Sequence, residues 1–177
     1  MVATAYPHHV WAYDFLAGRD AQGRVRRILT VMDEFTREGL AIDGAPTTSA
    51  ERVIGVLGRL VALHGALGYV RSDNGAECVA LAVQRWLAQR QSQTLYIDPG
   101  CPWQNGQDER FNGLVRDERL NRHVFASVAE AQVILAGFRQ PYNQDRPHSQ
   151  LGYQTPWEFK RAWAEAQAKG QDPNIPT

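Results

Sequence analysis

The chain has 177 residues, 44% hydrophobic and 21% charged, enough for one domain with its own core and too few for two. Its 19 basic and 19 acidic residues cancel, which excludes a strong sequence-blind attraction to nucleic acid and leaves any such affinity to local patches. No run approaches the ~20 apolar residues of a bilayer span, and "MVATAYPHHVWAYDFL" lacks the basic and apolar regions of a signal peptide, so a cytoplasmic protein is expected.

In chain order, "HVWAYDFLA" alternates and then runs apolar, as a strand entering a core does. "DAQGR" reads as a turn, "VRRILTVMD" as a second strand and "REGLAID" as a third, together an antiparallel meander. The period then changes. In "TTSAERVIGVLGRLVALHG", Thr48 and Glu51 form a predicted capping box, and Val53, Val56, Leu57, Leu60 and Val61 make a helical stripe ending at Gly65. Gly55 and Gly58 weaken this helix by ~1 kcal/mol each relative to Ala, a cost consistent with close packing on a sheet. "LGYVRSDNG" is a short strand stopping in a turn, "AECVALAVQRWLAQR" an amphipathic helix, and "QTLYID" a further strand. "PGCPWQNG" is a loop. From Gln107 the pattern is helical, "SVAEAQVILAGFRQPYNQ" adds another helix with Pro141 near its end, and "KGQDPNIPT" reads as a frayed tail. The order βββαβαβαα predicts an α/β fold, a five-stranded mixed sheet of three antiparallel strands and two joined by helical crossovers, flanked by helices. Residues 1–9 read as an extension, 10–160 as the core and 161–177 as the tail.

The two cysteines, Cys78 and Cys101, have no CxxC or His pair beside them, so partly buried thiols are expected and not a zinc site. All basic residues except Lys160 and Lys169 are Arg. That bias suits phosphate contacts, and genome composition accounts for it equally well.

Three acids stand out by position. Asp14 sits inside an apolar strand between Tyr13 and Phe15, where an unpaired carboxylate costs several kcal/mol or stays protonated. Asp73 in "SDNG" ends a strand, where α/β sheets place ligands, although a turn residue there is the ordinary alternative. Glu109 opens the helix after the loop, sharing a face with Asn112 and Arg116 and rotated by ~100° from Asp108. A macrodipole partner is the ordinary reading of such an acid, and Arg71 is a candidate ion-pair partner for any of the three.

The blocks "VWAYDFL", "RILTVMDEFTRE", "YVRSDNGAE", "LYIDPGCPWQNGQDERFNGLVRDERLN" and "YNQDRPHSQLGYQTPWEF" resemble those of the integrase-like catalytic domain of bacterial insertion-sequence transposases, particularly insertion-sequence family three. The resemblance runs from about Val10 to Phe159. It implies a ribonuclease-H-like fold in which an Asp, Asp, Glu triad binds two divalent metals, the last two acids being separated by 35 residues. Thirty-five residues lie between Asp73 and Glu109, against 34 to Asp108. By the resemblance, Asp14, Asp73 and Glu109 are the catalytic and metal-binding acids, the first between the two metals and the others serving one each. Asp108 is then expected as a solvent-facing neighbour and Asp33 as structural.

Phosphodiester cleavage needs a deprotonated nucleophile and neutralised charge on the phosphate and leaving oxygen, which two Mg²⁺ ions, or Mn²⁺ as a substitute, supply. Mg²⁺ takes oxygen ligands and keeps waters, so three carboxylates suffice. The resemblance implies metal-dependent DNA 3′-end cleavage followed by strand transfer, with element ends and target DNA as partners and a homo-oligomer as the active complex. Asn105, Asn112, Arg116, Arg119 and Arg122 are candidate DNA contacts, with loop capping as the alternative for Asn105 and a charge-balanced helix face for the arginines. Trp103 is either a base-stacking platform or a loop side chain closing the core. His148 in "RPHSQLGY" is expected to be structural. Family members carry a helix-turn-helix region ahead of this domain. Its absence here implies an expressed fragment, a separate helix-turn-helix polypeptide or a truncated relic. The rival functions are a purely hydrolytic ribonuclease-H-like nuclease and a non-catalytic fragment or regulator.

Overall fold

The computed structural model describes residues 2–45, 49–72, 77–97 and 106–170. Five strands form one sheet: β1 (Val10–Arg19), β2 (Val25–Asp33), β3 (Gly39–Ala45), β4 (Tyr69–Ser72) and β5 (Gln93–Tyr96). Their spatial order is β3-β2-β1-β4-β5. β1 to β3 are antiparallel neighbours, and β4 and β5 run parallel to β1. Parallel neighbours need crossovers, supplied by α1 (Ala50–His64) and α2 (Glu77–Ala88). The expected meander and two crossover strands are what forms.

β1 is apolar on both faces because it is the central strand and helices cover both sides. Trp11 and Tyr13 point into a core with Val53, Val56, Leu57 and Leu60 of α1 and Val83 and Leu87 of α2. Ala12 and Leu16, alternating with them, point the other way. There they meet Phe111 and Val115 of α3 (Gly106–Val115) and Leu135, Phe138 and Tyr142 of α4 (Val128–Asp145). Asp14 belongs to this second series. The chain between β1 and β2 is pinned by Asp20, whose Oδ1 accepts from the backbone N–H groups of Gln22 and Arg24 at 3.0 and 2.9 Å.

Several local expectations are corrected. The α1 cap is Ser49, which accepts from the N–H of Arg52, and Thr48 lies outside the described residues. Gly65, at φ 91°, ends α1 in a conformation only glycine adopts freely. Gly58 faces Trp86 of α2, a Cβ there lying 3.6 Å from that ring, so the close packing is helix on helix and not helix on sheet. Pro141 stands inside α4 near its end, as expected, and the helix continues to Asp145. A further helix, α5 (Pro156–Ala168), runs past the expected start of the tail at residue 161. It starts on a capping box of Thr155 and Glu158 with Pro156 in its first turn, an arrangement that satisfies its first N–H groups. Phe159 and Trp163 hold it against Phe35.

Gly39 sets how closely α3 approaches the sheet. A Cβ there would lie 2.9 Å from Cζ of Phe111, inside any tolerable contact. The Asn143 side chain on α4 accepts from the Gly39 N–H at 2.8 Å and donates to its carbonyl oxygen at 3.0 Å. α3 and α4 are thus both seated on the start of β3.

Candidate active site

The buried stripe of α3 is Asp108, Phe111, Asn112 and Val115, spaced i, i+3, i+4, i+7 as a helix packed on one side requires. Asn112 therefore faces β1. Its Nδ2 donates to Asp14 Oδ2 at 2.7 Å, and its Oδ1 lies 2.8 Å from the hydroxyl of Thr30 on β2. A carboxylate only accepts, so the amide must turn its NH₂ to Asp14 and its oxygen to the hydroxyl proton. The other Asp14 oxygen accepts from the backbone N–H of Phe15 at 2.6 Å. The mid-strand carboxylate is half-buried and held on both oxygens.

Asn112, expected to contact DNA, is only 4% exposed and serves Asp14 instead. Arg119 is half-buried and lies along α4. Pro141 has no N–H for the carbonyl of Gly137, and Arg119 Nη2 donates to that oxygen at a long 3.4 Å while its guanidinium lies 5.6 Å from the Phe138 ring centroid. Arg116, which opens a π-helical turn (Arg116–Leu120), and Arg122 beyond it are exposed.

Glu109 is exposed in the first turn of α3, whereas Asp108 is buried at 4% exposure. This reverses the expectation of a solvent-facing Asp108. The apolar pair Phe111 and Val115 carried the signal, since the stripe they define continues back to position 108 and leaves 109 at its edge. Burial, then the nearby carboxylates of Glu34 and Asp14, push the Asp108 carboxyl well above the usual range, and Arg71 and Arg37 only partly oppose this. Its Oδ2 has no partner among the described residues.

Arg71, a candidate partner of the three acids, is engaged elsewhere on the sheet. It forms a buried pair with Glu34, Nε to Oε1 at 2.6 Å, with side-chain exposures of 5% and 12%. Asp33 is structural as expected: fully buried, it accepts from the N–H of His8 at 3.1 Å and from the N–H and hydroxyl of Thr36 at 3.1 and 2.6 Å. His148 packs edge-on against Tyr142.

Asp73, Asn105, Trp103 and Cys101 lie outside the described residues, as does the side chain of Cys78. The register of β4 on β1, Ala12 opposite Arg71, brings the end of β4 beside the part of β1 leading into Asp14. Among the described residues no group of three His, Cys, Asp or Glu side chains is gathered to hold a metal. The two described members of the expected triad are carboxylates on elements packed together, and that donor chemistry suits a hard divalent ion. No helix among the described residues is long and apolar enough to cross a membrane.

The fold and sequence both have known counterparts. The magnesium-bound integrase catalytic core domain of HTLV-2 superposes with a TM-score of 0.67 at 14% identity, over 88% of this chain and 97% of that one. This likeness, with the mixed sheet and its helices, establishes the ribonuclease-H-like fold. An uncharacterized 39.2 kDa protein of insertion element IS476 from Xanthomonas euvesicatoria is 37% identical over 176 residues, covering 99% of this chain and 51% of the relative. A 31.7 kDa uncharacterized protein of insertion element IS407 from Burkholderia multivorans is 38% identical over 169 residues, covering 94% and 61%. The chain thus spans about half to three-fifths of the length of these curated relatives. Integrase core domains match residues 5–102 and 90–156, spans that contain the Asn112-braced Asp14 and the helix bearing Glu109, and the chain belongs to the integrase core domain family.

Proposed function

We propose that this chain is the catalytic domain of a transposase of the insertion-sequence family three type, performing DNA 3′-end cleavage and strand transfer with Asp14, Asp73 and Glu109 as its acids. The observation that carries the reading is the 2.7 Å hydrogen bond from Asn112 to Asp14. It links the helix bearing Glu109 to the strand bearing Asp14, and this tie between elements carrying acids 95 positions apart in sequence supports the reading.

Asp14, Asp73 and Glu109 would hold Mg²⁺, two ions with Mn²⁺ as a substitute, which when bound lower the pKa of the attacking group and neutralise charge on the phosphate and leaving oxygen. Asn112, itself oriented by Thr30, fixes the Asp14 carboxylate in one rotamer before any ligand arrives, and such preorganisation avoids a reorganisation cost during reaction. Glu109, exposed at the start of α3, is presented on the solvent side where a DNA strand has access. Arg116 and Arg122, exposed beyond α3, offer phosphate contacts, and Asn105 is a further candidate.

The insertion-element relatives support DNA as the substrate, both element ends and target. The magnesium-bound HTLV-2 core, in a trimeric form, supports magnesium and a homo-oligomer in the working assembly. Recognition of the element ends belongs, in this reading, to a helix-turn-helix region outside this sequence, and the protein works in the cytoplasm.

The test is a branched DNA that mimics a strand-transfer product, incubated with the purified protein and Mn²⁺. Running transfer in reverse on it needs no end recognition. The expected result is metal-dependent joining and release of strands, reduced at least ~10²-fold by Asp14→Asn, Asp73→Asn or Glu109→Gln, with the variants melting like the wild type. Equal rates in wild type and Glu109→Gln would overturn the assignment, and hydrolysis without joined strands would make the protein a nuclease.

A further inference from the structure

On the flank of α3 turned away from Glu109 lies a cavity of about 430 Å³, walled by the first turns of α3, the end of α4 and residues 146–150 that follow it. Three guanidiniums reach it from three parts of the chain: Arg37 from the β2–β3 connection, Arg110 from α3 and Arg146 from the end of α4. None of the described lining residues is acidic. Arg146 is paired with Glu118, and Arg37 donates to the carbonyl of Glu34, but exposed Arg110 has no ion pair among the described residues.

The wall also holds unmet hydrogen-bonding capacity. Nε of Arg37, Oε1 of Gln107 and Nε2 of His148 are all buried without a partner among the described residues. Buried polar atoms are normally satisfied, and a cluster of exceptions around one cavity marks a place where a ligand or water completes the set. Burial, and then Arg146, Arg110 and Arg37, hold the His148 imidazole below its usual pKa, so all three cations act on the ring at the back of the site. Tyr142, Phe111 and Met32 line the same space, giving an apolar surface beside the positive one. The start of α3 adds the partial positive charge of a helix N-terminus.

We propose that this cavity binds one nucleotide unit of a DNA strand, its phosphate among Arg37, Arg110 and Arg146 and its base or sugar against Tyr142 and His148. The volume lies within the usual range for a small-ligand pocket, and the mixture of cations and aromatic wall matches the two parts of a nucleotide. The site gives "RPHSQLGY" a role that the acid triad does not: Arg146 and His148 grip the strand on one side of α3 while Glu109 faces its other side. The inference rests on the transposase reading for the choice of DNA.

The test uses the whole protein without metal, so that binding is scored apart from catalysis. A fluorescent single-stranded oligodeoxynucleotide is titrated at low salt, and the His148 ring resonances are followed by NMR. Arg110→Gln breaks no hydrogen bond or ion pair among the described residues and is expected to weaken binding about tenfold, the worth of one charge-assisted phosphate bond. It should also lower the salt dependence by about one phosphate contact. Arg59→Gln, an exposed arginine on α1, should change neither. The His148 resonances should move with oligonucleotide in the wild type and in Glu109→Gln. An unmoved His148 signal, or equal losses in Arg59→Gln and Arg110→Gln, would overturn the site. Saturation by inorganic phosphate or dAMP at concentrations matching the oligonucleotide would overturn its assignment to a strand. Loss of strand joining with pocket binding intact would instead count against the transposase reading alone.

Discussion

Asn112 contributes more as a brace than as a surface residue. Its amide answers two groups at once, the Asp14 carboxylate and the Thr30 hydroxyl, and a buried group deprived of its partner costs about 1–3 kcal/mol. Asn112→Ala should lower stability by about that amount in urea titration and slow strand joining further than the stability loss explains, because Oδ2 of Asp14 loses the donor that orients it. Thr30→Val, which leaves the bond to Asp14 in place, should cost less on both counts. His8 supplies a pH signature. Burial, then Lys160 and His64, hold its pKa down at about 4 against an ordinary 6.5, with Glu38 opposing; its ring Nδ1 accepts from Trp11 Nε1, and its backbone N–H donates to Asp33. The folded state therefore takes up the proton less readily than the unfolded chain, and the stabilisation present above pH 6.5 is lost as pH falls towards 4. Since the ring is only part-buried, solvent screening reduces the effect to about 1 kcal/mol, or about 2–4 °C. Melting curves of wild type and His8→Gln at pH 7.5 and 4.5 should show the wild type losing that much more on acidification.

At the scale of elements, α3 depends on a missing side chain opposite it. Phe111 reaches into the space above Gly39, and Asn143 ties α4 to the same residue. Gly39→Ala should destabilise by about 1–3 kcal/mol through overpacking, and its NMR perturbations should extend along α3 to Asn112. No perturbation beyond β3 would show that α3 is not seated there. The strands were legible because each is a short apolar run between turn residues, and α1 because its stripe is regular. α5 is equally marked in the sequence by Thr155, Pro156 and Glu158, a capping box with proline in the first turn. The phase of α3 is set by Phe111 and Val115, whose burial turns Asp108 inward and leaves Glu109 and Arg116 exposed.

For the molecule as a whole, the balance of 19 basic and 19 acidic residues leaves little long-range attraction for DNA. Duplex binding by this chain alone should be weak at physiological salt, with a Kd near ~10⁻⁴ M, measurable by anisotropy. A nanomolar, end-selective complex would contradict it. The order of elements as far as α4, the apolar character of β1 and the spacing from Asp73 to Glu109 were all available from the sequence, since they follow from local periodicity or from a pattern along the chain. The partners were not. That Asp14 meets Asn112 across 98 positions, that Arg71 is taken by Glu34, that Arg119 caps the carbonyl freed by Pro141 and that Asp108 is buried all depend on how helices rotate and settle on the sheet. Packing of the whole core sets that rotation, and no stretch of sequence encodes it alone.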